Sequence, residues 1–233
     1  MITVSSDDAV MLFGSTAREE ATVESDLDIL VLREPAQASA PPLPITFLLR
    51  DPQWLHHISR RGDLFAMHLH REGRILQDPH GVFGTFKSSP LKLRLRGQLD
   101  SVTLASSVLH ARDMIPTSQS TLSVARHLLR TAVFLTCAQR GYPTFSHAEA
   151  ARRLHSPDVE FLLRRAPTPG MLPAIVEQIE HMVGRARFPC RSLLELTAFS
   201  SSRRFALQMI ADEATISYDP GQPELQAPVT LAA

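Results

Sequence analysis

The sequence predicts an α+β protein in which a small mixed β-sheet region precedes an all-α helical bundle. In residues 1–90, short apolar runs alternate with turn-forming segments, which is typical of strands joined by loops and helices. From residue 91 onward, apolar residues recur at helical spacing instead. The two regions also differ in charge. Residues 1–90 carry 8 basic and 12 acidic side chains, whereas residues 91–233 carry 16 basic and 12 acidic ones.

The composition excludes several classes of protein. The 233 residues are 44% hydrophobic and 21% charged, as in ordinary soluble domains, and the net charge of zero provides no overall field for a polyanion. No apolar run is long enough to span a membrane, and the N-terminal residues lack the pattern of a signal peptide. The two cysteines, Cys137 and Cys190, have no metal-ligand spacing. We therefore expect a cytoplasmic protein with reduced thiols and no membrane partner.

Four apolar segments predict the strands of the first region, at residues 9–13, 27–32, 45–49 and 74–77. The segment PAQASAPPLP at residues 35–44 predicts a loop, because proline cannot pair within a central strand. A helix is predicted over residues 52–71, with an interruption near Gly62. Residues 81–90 contain glycine, serine and proline and predict a hinge.

The second region predicts six helices. Ser146 followed by Glu149 forms a capping box, Pro157 suits a first helical turn, and Gly141 suits a helix end. The last fifteen residues lack periodicity and predict a mobile tail. The predicted helices lie at about residues 91–113, 120–141, 147–155, 157–166, 171–183 and 191–211. We expect domain limits of 1–86 and 91–212, with residues 213–233 as the tail.

The segment that joins the first two strands carries the chemical signal. Gly14 directly follows the first strand, and a glycine there lets the backbone approach a phosphate closely and point N–H groups at it. The hydroxyl of Ser15 can donate to a phosphate oxygen. Arg18 follows three residues later and is a candidate contact for a triphosphate. The alternative for Arg18 is a solvated arginine beside the two glutamates that come next.

Two aspartates follow at the start of the second strand. Asp26 and Asp28 are two residues apart, so both carboxylates project from one face of the strand, and Leu27 and Ile29 are expected to face the core. Neighbouring carboxylates repel each other, and a divalent cation relieves that repulsion. Mg²⁺ held by two aspartates and nucleotide phosphates is an arrangement that phosphoryl transfer uses.

The segment FGSTAREEATVESDLDILVL, residues 13–32, resembles the signature of the nucleotidyltransferases of the DNA polymerase β superfamily. The resemblance is closest to the minimal and the kanamycin-nucleotidyltransferase-like members. It implies that an NTP, with ATP favoured, binds with its phosphates on Gly14 and Ser15, while Asp26 and Asp28 hold Mg²⁺ or Mn²⁺. A substrate hydroxyl then attacks the α-phosphorus and pyrophosphate leaves.

The resemblance also implies what the rest of the molecule contributes. The helical bundle would cover one side of the cleft and supply the acceptor site. The acceptor would be a small molecule, a protein side chain or an RNA end. Clefts in this family can be completed by a second subunit, so a homodimer or a partner protein is also possible.

The sequence departs from the family at the third carboxylate, which usually lies on the neighbouring strand. Thr46 stands at that position, and a threonine cannot serve as a base. Asp51 is the nearest substitute and Asp63 a more distant one. Two interpretations remain open. Either Asp51 or a partner supplies the third group, or the protein is a catalytically impaired nucleotide-binding or interaction module of a toxin–antitoxin or defence system.

Three further sets of residues are candidate sites. Arg140 and His147 superficially match the spacing of HEPN-type ribonuclease bundles, but an arginine ending one helix and a histidine beginning the next is the favoured interpretation. His68 and His70 are interpreted as ordinary polar-face histidines rather than zinc ligands. The arginines of the helical region are interpreted as a solvated surface rather than a floor for RNA.

Overall fold

The structure, a computed structural model, describes residues 4–21, 27–33, 45–109 and 119–186, with residues 45–47 and 119–120 described by their backbone alone. The chain divides into two units, Met1–Leu95 and Arg96–Ala233. The first contains a mixed sheet with helices, and the described part of the second is helical. The α+β class is therefore confirmed.

The four predicted strands are present as β1 (Ala9–Phe13), β2 (Leu27–Leu32), β3 (Ile45–Arg50) and β4 (Arg74–Gln77). They form one sheet in the order β3-β2-β1-β4. Strand β1 is antiparallel to both β2 and β4, and β2 is parallel to β3. The register places Asp28 opposite Phe13 on one side and opposite Thr46 on the other. The end of β1 and the start of β2 therefore lie side by side.

One face of this sheet carries the described core of the first unit. Leu30 and Leu32 of β2 belong to that core, with alternate residues of β1 and side chains of three helices. Leu27 and Ile29 lie on the opposite face, where they are half-buried and Val31 is fully buried. Alternation along β2 places Asp28 on the same face as Leu30 and Leu32, which the helices cover. Asp28 consequently lies at the end of the helix-covered face.

The helices of the first unit are α1 (Gly14–Ala17), α2 (Pro52–Arg61), α3 (Leu64–Glu72) and α4 (Val82–Ser88). Helices α2 and α3 correspond to the predicted interrupted helix. The interruption is Gly62, whose φ of 65° lies in the left-handed region and ends α2. Its N–H donates to the carbonyl of Ser59, and its carbonyl accepts from the N–H of Arg94 at 3.0 Å.

Helix α4 occupies the segment for which a hinge was predicted, so that prediction is wrong. Phe83 and Phe86, three residues apart, are both buried in the core. The Asp78 carboxylate accepts from the N–H of Gly84 at 2.8 Å near the start of the helix. Burial of two phenylalanines on one helical face outweighs the weak helix propensity of glycine and serine. The expected domain limit at residue 86 therefore falls inside a helix.

In the described part of the second unit the helices are α5 (Arg96–Leu109), α6 (Gln119–Gln139), α7 (His147–Leu154), α8 (Pro157–Arg164) and α9 (Leu172–Val183), with a 3₁₀ turn at Pro169–Met171. Helix α6 contacts the other four helices, and Leu128, Leu129 and Val133 on it are fully buried. No helix in the described part of the chain is long and apolar enough to cross a membrane. The predicted helix at 191–211 and the tail lie outside the described residues.

Candidate functional site

The chain turns sharply where β1 meets α1. Gly14 has a φ of 76°, a conformation that residues with a Cβ adopt only at a cost. Phe13 occupies the N-cap position of α1, and no side chain caps this helix. Ser15 is half-buried, and its carbonyl accepts from the N–H of Glu20 at 3.0 Å. The turn therefore has the sharp backbone that the Gly-Ser pair predicts.

The carboxylate of Asp28 packs directly against this turn. A Cβ atom on Gly14 would collide with Oδ2 of Asp28 and would lie 3.1 Å from its Cγ. The contact follows from the register, because Asp28 pairs with Phe13, the residue before Gly14. Position 14 therefore requires a glycine for two reasons, its positive φ and the lack of space for a side chain. The structure brings together two of the predicted site residues.

The predicted carboxylate pair is described only in part. Asp26 lies outside the described residues, and Asp28 is half-buried. Within the ranges that the structure describes, no three His, Cys, Asp or Glu side chains gather to hold a metal ion. The Asp28 carboxylate offers the hard oxygen donor that a divalent cation prefers, and its Oδ2 packs against Gly14.

Asp51 has a different role from the one expected of it. Its carboxylate caps α2 by accepting from the N–H of Trp54 at 2.7 Å. It follows Thr46 by five residues, and Thr46 is the residue opposite Asp28. Five residues of extended strand span about 16 Å, so Asp51 lies at the other end of β3. The structure does not bring Asp51 to Asp28.

Asp63 also sits at a helix start. It occupies the N-cap position of α3, and its carboxylate lies 3.7 Å from the guanidinium of Arg61. Asp51 and Asp63 both lie at helix starts. The β3 residue opposite Asp28, where the family would place an acid, is Thr46.

Arg18 is held by carboxylates. Its Nε donates to Glu20 at 2.8 Å and its Nη1 to Glu72 at 2.9 Å, and only 16% of the side chain is exposed. It is therefore not the solvated arginine that was considered as an alternative. The pair with Glu72 joins the end of α1 to the end of α3, immediately behind the Gly-Ser turn.

His68 completes this buried network. Its Nδ1 lies 3.2 Å from Oε2 of Glu72, and its ring meets that of Phe13 edge-on at 5.9 Å. Burial raises the pKa of Glu72, but the hydrogen bond and charge of His68, together with Arg18, outweigh it and hold that pKa below its ordinary value. The prediction that His68 is a polar-face histidine is wrong. The four-residue spacing of His68 and Glu72 was the one available signal.

Replacing Glu72 with glutamine is expected to destabilise the first unit by roughly 1–3 kcal/mol at pH 7, since His68 and Arg18 lose their shared acceptor. A carboxyl whose pKa is lowered on folding stabilises the folded state at pH values above its unfolded-state pKa. This stabilisation disappears as the pH falls through the folded-state pKa. The difference between the wild type and the variant should therefore shrink below about pH 4.5. Urea unfolding of both proteins at several pH values measures this difference in the free energy of unfolding.

The matched control is Glu20→Gln, which removes the more exposed partner of Arg18. An exposed ion pair contributes less than about 1 kcal/mol, so this variant should stay close to the wild type. Equal losses in the two variants would contradict a special role for Glu72.

Arg140 and His147, the candidates for ribonuclease action, do not both line the cavity of about 290 Å³ in the described part of the helical unit. Arg140 lines that cavity, whereas His147 is absent from its lining and stacks on Phe134 at 5.8 Å. Several arginines of the bundle are paired on the surface. Arg152 and Arg153 bind Glu149.

The family model of the nucleotidyltransferase domain matches residues 3–61, which run from before β1 to the end of α2 and include the Gly-Ser turn and both aspartates. A search of curated proteins finds no match to the chain.

Proposed function

Because residues 3–61 form a nucleotidyltransferase domain of the DNA polymerase β superfamily, we propose that this protein transfers a nucleoside monophosphate from an NTP to an acceptor hydroxyl. The observation that carries the proposal is the packing of Asp28 against Gly14. This packing puts a carboxylate, a group suited to a cation, beside a turn suited to phosphate. The acceptor is a small molecule, a protein side chain or an RNA end, and ATP is the favoured nucleotide.

The turn would bind the phosphates of the nucleotide. Gly14 allows close approach of the backbone, and Ser15 contributes a hydroxyl donor. Asp28 alone would repel a triphosphate, so the proposal requires a cation between them. Asp26 and Asp28 would hold Mg²⁺ or Mn²⁺, which when bound neutralises phosphate charge and favours departure of pyrophosphate.

In the proposed reaction, the acceptor oxygen forms a bond to the α-phosphorus, and the bond from that phosphorus to pyrophosphate breaks. Gly14 and Ser15 keep the triphosphate in place for this displacement. Thr46 opposite Asp28 cannot accept the hydroxyl proton. That proton would therefore pass to a group from the acceptor side, from a second subunit or from a partner protein.

The position of Thr46 also favours a second candidate function. If no third acid is supplied, the same turn would bind a nucleotide without transferring it, and the protein would act as an interaction module.

The test is pyrophosphate release from each of the four NTPs with Mg²⁺ or Mn²⁺, in cell extract as a source of acceptors. We expect release with one nucleotide and a loss of roughly 100-fold or more in the Asp26→Asn/Asp28→Asn variant, because both carboxylates act on the charge of the transition state. Asp7→Asn is the matched control, an exposed aspartate outside the site. NTP binding without release would favour the second candidate, and absence of binding would refute both.

A further inference from the structure

The helical unit contains a solvent-open cavity of about 290 Å³, with both polar and apolar lining residues, that the proposed transfer does not use. It lies between the end of α6, the junction of α7 and α8, and the second half of α9. Arg140, His155 and His181 line it from these three places, and Ser156 and Glu177 complete its polar wall. The volume is close to the lower end of the range of small-molecule sites.

Two oppositely charged side chains, those of Arg140 and Glu177, line this cavity and are exposed to solvent. Among the described residues, neither Arg140 nor Glu177 makes an ion pair, although both line the same cavity. Arg140 is exposed, as Arg153 and Arg164 are, but Arg164 binds Glu160 at 2.9 Å and Arg153 binds Glu149. A positive and a negative group that face one space without meeting are suited to a ligand that carries both an anion and a hydrogen-bond donor.

The backbone at His155 is a second and independent observation. Its φ of 52° lies in the left-handed region, where a glycine would end α7 without strain. A histidine at this position instead places an imidazole on the cavity wall. Such strained residues cluster at functional sites. Ser156 next to it does not cap α8 with its side chain, so that helix leaves its hydroxyl unused.

The chemistry of the lining distinguishes between classes of ligand. A metal ion is not indicated, because no three His, Cys, Asp or Glu side chains within the described ranges come close enough to hold one. Arginine binds the oxygens of a phosphate in a fork, and the two imidazoles and a hydroxyl add further donors. Glu177, one turn before His181 on α9, can accept from a hydroxyl of the ligand.

We propose that this cavity binds a small phosphorylated polyol, such as a sugar phosphate. The phosphate lies on Arg140, His155 and His181, and a ligand hydroxyl donates to Glu177. This site is separate from the Gly-Ser turn in its residues and does not depend on nucleotidyl transfer.

The test is titration of the full chain with ribose 5-phosphate, followed by calorimetry and by NMR of the histidine side chains. We expect a dissociation constant of about 1 mM or tighter, with shifts at His155 and His181. Free ribose should bind at least about tenfold more weakly, because it lacks the phosphate. Absence of binding, or shifts confined to other histidines, would overturn the proposal.

Variants separate a binding role from a structural one. Arg140→Gln should weaken binding about tenfold or more, whereas Arg164→Gln, an exposed arginine outside the cavity, should leave it unchanged. His155→Gly relieves the backbone strain, so it should keep or raise the melting temperature while weakening binding. Equal affinity in Arg140→Gln and the wild type would place the ligand elsewhere, for example on the Gly-Ser turn, and would refute this site.

Discussion

Replacing Gly14 with alanine is expected to abolish NTP-dependent pyrophosphate release while the protein remains folded. A φ of 76° costs a residue with a Cβ about 1–2 kcal/mol. The added methyl group would also collide with the Asp28 carboxylate, which must then move away from the turn. The proposed phosphate-binding and cation-binding groups would lose their relative position. We expect a loss of roughly 100-fold or more, since transfer depends on placement to within a fraction of an ångström.

Gly81→Ala is the matched control for this variant. Gly81 has a φ of 66° but no atom within 4 Å of the position of an added Cβ, so it shares the strain without the collision. It should lose about 1 kcal/mol of stability and keep full release of pyrophosphate. Release is measured at equal folded fraction, determined by circular dichroism. Full activity in Gly14→Ala would show that the turn is not the nucleotide site.

Replacing Gly62 with alanine is expected to lower the free energy of unfolding by about 2–4 kcal/mol. Its φ of 65° already disfavours alanine. An added Cβ would collide with the carbonyl oxygen of Lys92 and lie 2.7 Å from the nitrogen of Arg94. These are backbone atoms, so they cannot rotate away as a side chain can. The segment at residues 91–95 would have to leave the end of α2 and lose the hydrogen bond from Arg94 to Gly62.

Fluorescence of Trp54 measures this loss during urea unfolding, because the single tryptophan of the chain lies on α2. Gly81→Ala again measures the cost of the positive φ alone, because an added Cβ there meets no other atom within 4 Å. Gly97→Ala, in α5 with no positive φ and no atom within 4 Å, should be neutral or stabilise the helical unit by roughly 0.5–1 kcal/mol. If Gly62→Ala lowers the free energy of unfolding no more than Gly81→Ala does, residues 91–95 do not pack against this turn.

The sequence alone was sufficient for features that depend on neighbours along the chain. The four strands follow from short apolar runs, and Gly62 interrupts the helix where predicted because only a glycine adopts that conformation cheaply. The Gly-Ser turn and the aspartates also have their signature within one continuous segment. The match of the nucleotidyltransferase family model to residues 3–61 agrees with that interpretation.

The tertiary structure alone decided which residues meet. Sequence proximity favoured Asp51 as a third acid, but the pairing of β2 with β3 puts Thr46 opposite Asp28 and leaves Asp51 to cap α2. The pair of Glu72 with Arg18 joins residues 54 positions apart. Periodicity determines which side chains share a face. Strand register and helix packing determine which face is buried and which end of the sheet gathers the polar groups, and these contacts are distant in sequence.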